Sequence, residues 1–214
     1  MLVREWMSRQ PVTITMDVSI TEALRVMRQR QVRRLPVLDE SGNMVGIVSE
    51  SDLLYASPSP VTSLSIYEMH DLLTRLKVSE LMAKDVITVT PDTPLEEAAR
   101  IMADSKIGGL PVVEDGRLVG IITETDIFKV FLEMLGARER GIRITLEHPE
   151  RKGEMARITT TIAQLGGNIL ALGAVMTDDP ATSIVTFKVE DVSSEELQAA
   201  MRDLGLNILD IRTA

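Results

Sequence analysis

The stretch Val45-Gly46-Ile47-Val48-Ser49-Glu50-Ser51-Asp52 returns later in the chain as Val119-Gly120-Ile121-Ile122-Thr123-Glu124-Thr125-Asp126. This duplication limits the fold more than any other feature. It extends to the N-terminus: Val3, Glu5 and Met7 recur as Val78, Glu80 and Met82, a shift of 75. Thr13, Thr15, Asp17, Glu22, Ala23, Arg25 and Met27 recur as Thr88, Thr90, Asp92, Glu97, Ala98, Arg100 and Met102, and Leu35-Pro36-Val37 as Leu110-Pro111-Val112. One residue is then lost in a turn, and the shift becomes 74 for the opening stretch. So long a period, present twice, indicates a duplicated domain rather than a solenoid. A copy of about 55 residues is marginal alone, so the two are expected to pack together.

Each copy reads as strand, helix, strand, strand, helix. Val12–Thr15 and Ile87–Thr90 are β-branched runs. Ser19 with Glu22, and Thr93 with Glu96 followed by Pro94, have the spacing of capping boxes. Ile20, Ala23, Leu24 and Met27, and Leu95, Ala98, Ala99 and Met102, then recur at helical spacing. Gly42 and Gly116 mark hairpin turns. Between the copies, Ala56–Ser63 is linker by composition, and an amphipathic helix is expected near Ile66–Leu76. A helical stretch over Ile127–Leu135 closes the second copy. From Ile142 onward the order is βαββαβ: strands Ile142–Leu146, Asn168–Met176, Ser183–Val189 and Leu206–Ile211, with helices from Glu154 and after Ser193.

The repeated stretch admits two readings. Ser49 or Thr123 could simply cap a helix, with Asp52 or Asp126 in its first turn. The same hydroxyl, carboxylate and free N–H groups at a strand end can instead grip a ribose diol and a nearby phosphate. Duplication within a longer repeat favours the second.

Composition removes several classes. Without cysteine there are no disulfides, thiolate nucleophiles or cysteine metal sites, and a cytoplasmic location is expected. No apolar run reaches the ~18 residues of a membrane span. A net charge of −9 argues against nucleic acid. That charge is uneven: residues 1–57 hold seven basic and seven acidic residues, residues 78–135 five basic and eleven acidic. His70 and His148 are the only histidines and have no metal-ligand spacing; both are expected to be solvated. No GxSxG, P-loop or HExxH motif is present, so no enzyme is expected.

The TxT strands, the two Leu-Pro-Val segments, and the GIVSESD and GIITETD stretches make the duplicated part resemble a tandem pair of CBS domains, a Bateman module. The C-terminal part resembles an ACT domain, with Gly153 in the strand-to-helix loop and Asn168-Ile169 opening the second strand. The order of the three resembles the AcuB-type proteins of acetoin utilisation. The fold class implied is α+β: CBS domains at 1–57 and 78–135 with a linker and connector helix at 58–77, a second linker at 136–141, and a ferredoxin-like ACT domain at 142–214.

The resemblance also implies sites. Ribose would be held by Ser49 and Asp52, or by Thr123 and Asp126; the base would lie near Thr13-Ile14 or Thr88-Val89. Arg33 and Arg34, just before Leu-Pro-Val, would read a phosphate; their counterparts are Gly108 and Gly109. Gly153 and Asn168 are the candidates for an amino acid at the ACT domain. The function implied is non-catalytic sensing of an adenosyl ligand such as AMP, ADP, ATP or S-adenosylmethionine by a homodimer, read out by a partner enzyme. The rival is a ligand-independent interaction module whose paired motifs only cap helices.

Overall fold

The computed structural model describes residues 1–56 and 75–213. All but the last two residues of the expected connector helix near Ile66–Leu76, most of the linker, and His70 therefore lie outside the described residues. The chain forms two compact units, Met1–Ile127 and Phe128–Ala214.

In the first unit, α1 (Val3–Trp6) and β1 (Ser8–Arg9) precede β2 (Ile14–Thr15), α2 (Ile20–Arg30), β3 (Arg34–Leu38), β4 (Met44–Ser49) and α3 (Glu50–Tyr55). The second copy gives α4 (Val78–Leu81), α5 (Leu95–Ser105), β5 (Gly109–Glu114), β6 (Arg117–Thr123) and α6 (Glu124–Met134). The sheets run β2-β3-β4 and β1-β6-β5. β1 therefore belongs to the sheet of the other copy, pairing Ser8 with Ile121.

This exchange is reciprocal. Ala83 bridges Ile47, as Ser8 does Ile121, and Leu2 with Pro94 matches Ser19 with Lys77. Val3 N–H donates to Thr93 O and Val78 N–H to Val18 O; Leu95 N–H donates to Met1 O and Ile20 N–H to Leu76 O. The recurring Glu5 and Glu80 hold these segments in shape, each accepting from the backbone N–H three residues earlier, Leu2 and Lys77. The core of the first copy, around Ile20, Met27, Leu35, Val37 and Val48, thus includes Val78 and Met82 of the second. Two such side chains contribute roughly 1.5–3 kcal/mol each when buried.

Local chemistry departs from the sequence reading at three places. The strand expected at Ile87–Thr90 contracts to one bridge, Val89 with Val112. Thr90 N–H instead turns to Thr93 Oγ1 at 3.0 Å. That hydroxyl is then unavailable as a cap, and Pro94 occupies the N-cap of α5. At α2 only half of the box forms: Ser19 accepts from Glu22 N–H, but the Glu22 carboxylate is taken by Arg25 at 2.7 and 2.5 Å. The lost residue has a local cause. Asp115 and Gly116, at φ 49° and 76°, form a two-residue turn with both residues left-handed. The longer first turn is closed by Asp39 Oδ1, which accepts from Ser41 and Asn43.

The second unit contains β7 (Ile142–Pro149), α7 (Glu154–Gln164), β8 (Asn168–Met176), β9 (Thr182–Glu190), α8 (Ser194–Asp203) and β10 (Asn207–Thr213). The element order is the βαββαβ read from sequence. The strands form an antiparallel sheet ordered β10-β7-β9-β8. Ile158 and Ile162 of α7 and Leu197 and Met201 of α8 pack on Ile144, Leu146, Val185 and Phe187 of one sheet face.

Candidate functional site

β4 ends at Ser49, whose extended backbone opens into α3. The Ser49 hydroxyl accepts from Asp52 N–H at 3.3 Å and donates to Asp52 Oδ2 at 2.7 Å, and Ser49 N–H donates to the same oxygen at 2.8 Å. This is a complete capping box. The cap leaves Asp52 exposed, and its Oδ1 accepts no hydrogen bond among the described residues. The second copy repeats the corner: Thr123 N–H and Oγ1 donate to Asp126 Oδ2 at 3.1 and 2.7 Å. The two corners differ in access, since Asp126 is 7% exposed.

Ser49, Ser51 and Asp52 border a cavity of about 430 Å³ between the two copies, within the range of small-ligand sites. From the first copy come also Ile47 and Arg34; from the second come Ala83, Asp85, Ile87, Lys106, Gly108 and Pro111. The apolar members suit a planar base. The polar ones, two carboxylates and two cations with the serines, suit a ribose and an anion.

Arg34 reaches across the boundary between the copies. A Cβ built on Gly108 would collide with the Arg34 guanidinium, and one on Gly109 would lie 3.3 Å from Arg34 Cδ. The glycines that stand where Arg33 and Arg34 recur thus make room for the arginine of the opposite copy. Arg33 is exposed and does not line the cavity. Lys106 is placed by the left-handed end of α5, at φ 54°, the conformation that Gln31 adopts at the end of α2.

The structure therefore brings together Ser49, Asp52 and Arg34, and adds Lys106 and Asp85, which sequence reading missed. A visible signal for Lys106 was its match with Gln31 at the helix end. Ile14 and Val89 are buried in the cores of their copies, at 8% and 6% exposure, and neither they nor Thr13 and Thr88 line this cavity. The lining reaches the first strand of the second copy at Ile87. Because the exchange is reciprocal, the correspondence between copies that maps Ser49 and Asp52 onto Thr123 and Asp126 also maps Gly108 onto Arg33. Arg33 is therefore the counterpart of Gly108 and lies outside the cavity that Ser49 and Asp52 border.

In the second unit, Gly153 opens α7 at φ 84° and borders a smaller cavity of about 300 Å³ with His148, Arg151, Glu154, Met176 and Ser183. Asn168 is elsewhere: it begins β8, whose far end at Met176 reaches this cavity, and its Nδ2 donates to Glu190 at 2.8 Å. His148 is not solvated as expected. It lies in β7 at 6% exposure with Nδ1 3.0 Å from Pro149 O and with no partner for Nε2 among the described residues. Alternation places it on the core side with Ile144 and Leu146.

Glu154, buried, is held by Arg151 Nε at 2.6 Å, with Arg157 3.2 Å away. The hydrogen bond from Arg151 is the main reason that its carboxyl sits below the usual glutamate range, against the opposing effect of burial. A carboxyl depressed in the folded state stabilises above its unfolded pKa and loses that contribution as pH falls through the folded value. Glu154→Gln is therefore expected to lower the melting temperature at neutral pH and to match the parent protein at strongly acid pH, measured by thermal melts across pH.

No group of three or more metal-ligating side chains occurs among the described residues, and no described helix is long and apolar enough to cross a membrane. The CBS domain family model matches residues 3–59 and 78–133. A CBS domain-containing protein of Dictyostelium discoideum is 34% identical over 135 residues, 63% of this chain and 93% of that protein. The CBS domain pair of protein MJ0100, solved with 5-methylthioadenosine and S-adenosyl-L-methionine, is 31% identical. It covers 65% of this chain and 98% of its own, with a TM-score of 0.52. A Vibrio cholerae protein assigned to acetoin utilization (AcuB) is 33% identical over 64% of this chain and 95% of its own, with a TM-score of 0.53. CBSX2, solved with AMP, is 32% identical over 61% of this chain and 96% of its own, with a TM-score of 0.50.

Proposed function

We propose that this chain, which belongs to the CBS-domain family, is a regulatory protein that senses an adenine nucleotide in the cleft between its two copies. One observation carries the reading: Ser49 and Asp52 share a cavity with Arg34 of their own copy and Lys106 of the other. Asp52 would hold the ribose diol, the apolar wall of Ile47, Ile87 and Pro111 the base, and the two cations a phosphate. Structures of similar pairs with 5-methylthioadenosine, S-adenosyl-L-methionine and AMP support an adenosyl ligand. Such a phosphate would tie the two copies together. A ligand that discriminates between two arrangements shifts their populations, which a partner enzyme then reads; equal affinity for both would shift nothing. No catalytic step is required. The rival, a ligand-independent interaction module, rests on the completeness of the Ser49–Asp52 cap.

Substituting Asp52 and Asp126 tests the choice. Asp→Ala at a ribose site is expected to weaken AMP by roughly 1–3 kcal/mol. A bare cap would lose thermal stability and leave AMP affinity unaltered. The exposed Asp52 is expected to show the larger loss of affinity. Calorimetric titrations and melts on each variant decide, and unchanged affinity in both removes the assignment.

The C-terminal unit fits an ACT domain in its βαββαβ order, and an amino acid at the Gly153 loop belongs to the same reading. Asn168, at the other end of β8, is set apart from that loop. The acetoin link and a cytoplasmic location are further parts of the proposal.

Self-association completes it. β8 is an edge strand of nine residues, NILALGAVM, without charge or proline. Val175 and Met176 are 63% and 83% exposed. An apolar edge of this kind is a template for pairing, and a two-fold homodimer is the default outcome. Met176→Lys is expected to weaken the dimer, giving a monomer mass by light scattering at micromolar concentration where the parent protein gives twice that mass. A parent protein that is already monomeric contradicts this.

A further inference from the structure

One face of the four-stranded sheet is covered by α7 and α8; the other carries a charge pattern that the proposed function does not use. Along β9, Val185, Phe187 and Val189 are buried against the helices, so Ile184, Thr186 and Lys188 face the opposite way. Lys188 is in register with Arg143 on β7, and Arg143 with Arg212 on β10. Residues directly opposite on neighbouring strands share a face, and like charges there repel.

Three cations therefore stand in a row. One carboxylate, Asp210, serves both arginines, at 2.8 Å from Arg143 and 2.5 Å from Arg212. Glu147 and Glu190, in line with this face, are hydrogen-bonded to Asn207 and Asn168. Lys188 has no ion pair among the described residues, yet it is only 6% exposed. Its stem runs beneath the turn after α6, with Cδ 3.6 Å from a Cβ built on Gly136 and Cγ 3.5 Å from one on Gly141. Burying an ammonium without a counter-charge is costly.

Lys188 and Arg143 form the polar end of a cavity of about 420 Å³. Apart from Thr186, whose hydroxyl pairs with Thr145, the rest of its wall is apolar: Phe131, Met134 and Leu135 on one side, and Val175 and Ile184 on the sheet. Gly173 keeps the sheet low, since a Cβ there would come 2.8 Å from Leu135 Cδ2. A pocket with an apolar body and one uncompensated cation at its end selects a ligand of the complementary kind.

We propose that this cavity binds an amphipathic monocarboxylate, with its carboxylate on Lys188 beside Arg143 and its apolar chain or ring between Phe131 and the Gly173–Val175 stretch. The site is separate from the nucleotide cleft and does not depend on that reading. It gives the C-terminal unit a ligand of its own on the sheet face opposite the α7 and α8 helices.

Sodium octanoate and 1-octanol serve as probes, titrated calorimetrically into the full chain and into Lys188→Met and Lys188→Arg. Octanoate is expected to bind saturably, and Lys188→Met to weaken it by about tenfold or more through loss of the charge-assisted contact. Octanol should change by no more than about twofold, and Lys188→Arg should retain most octanoate affinity. Methionine matches the lysine stem and removes a buried unpaired charge, so this variant is expected to melt no lower than the parent protein. Failure of octanoate to saturate, or equal weakening of octanoate and octanol, overturns the proposal. So does a clear fall in melting temperature for Lys188→Met, which would make Lys188 a structural residue.

Discussion

Replacing Arg34 and Lys106 together with alanine is expected to weaken AMP binding by roughly 3–6 kcal/mol, a hundredfold or more, taking ~1.5–3 kcal/mol for each contact to a charged group. Adenosine, which presents only ribose and base, should change by a few-fold at most. The cause is the origin of the two cations. Arg34 starts β3 of the first copy, and Lys106 ends α5 of the second. A phosphate between them would be held from both sides. Arg33→Ala is the internal control: it lies outside the lining of this cavity and should leave AMP binding here within about twofold. Arg34 is half-buried, so added salt should narrow the gap between AMP and adenosine only in part. Equal losses for AMP and adenosine in the double variant would show that these residues do not read phosphate. Gly108→Ala probes the same contact from the other side, since its methyl group would displace the guanidinium.

Gly46→Val is expected to be the most destabilising single change in the first unit, costing about 3 kcal/mol by overpacking. Gly46 lies in the middle of β4, against the leading segment of the second copy. A Cβ there would come 2.6 Å from Met82 Sδ and 2.9 Å from Ala83 O. The sulfur can move, but the carbonyl belongs to the strand-like bridge between Ala83 and Ile47. Gly120 faces Met7 Sδ at 2.6 Å and Ser8 O at 3.1 Å in the same way, so Gly120→Val should behave alike. Thermal or urea melts check both. Variants as stable as the parent protein would mean that the exchanged segments are not tightly docked.

The exchange of leading segments explains what the sequence concealed. Periodicity placed α2, α5, α7 and α8 and the strand at Asn168–Met176, because an apolar stripe at the right spacing has few other solutions. The duplication showed that two copies pair. It could not show that each copy lends its leading segment to the other, since exchanged and unexchanged segments bury the same side chains. That is why Gly46 and Gly120 read as strand residues of no special meaning. The cleft was legible in Ser49 and Asp52, whose spacing defines both the cap and the proposed ribose corner. Arg34 was legible as a cation but not as one that crosses to Gly108. Ile87 was missed in favour of Thr88 and Val89, because a two-residue alternation cannot say which face meets the cleft before its neighbour is known. His148 misled for a related reason: the expected strand stopped at Leu146, whereas β7 runs through to Pro149.

Whether Asp52 grips a ribose diol rather than only capping α3 is tested most directly by comparing AMP with 2′-deoxy-AMP. Both are titrated calorimetrically into the parent protein and into Asp52→Ala. The parent protein is expected to prefer AMP by about tenfold or more, since the missing hydroxyl removes one charge-assisted hydrogen bond. In Asp52→Ala that preference should collapse, the coupling expected of two groups in contact. Equal affinity of the parent protein for the two nucleotides, or a preference that survives the substitution, would contradict the ribose contact.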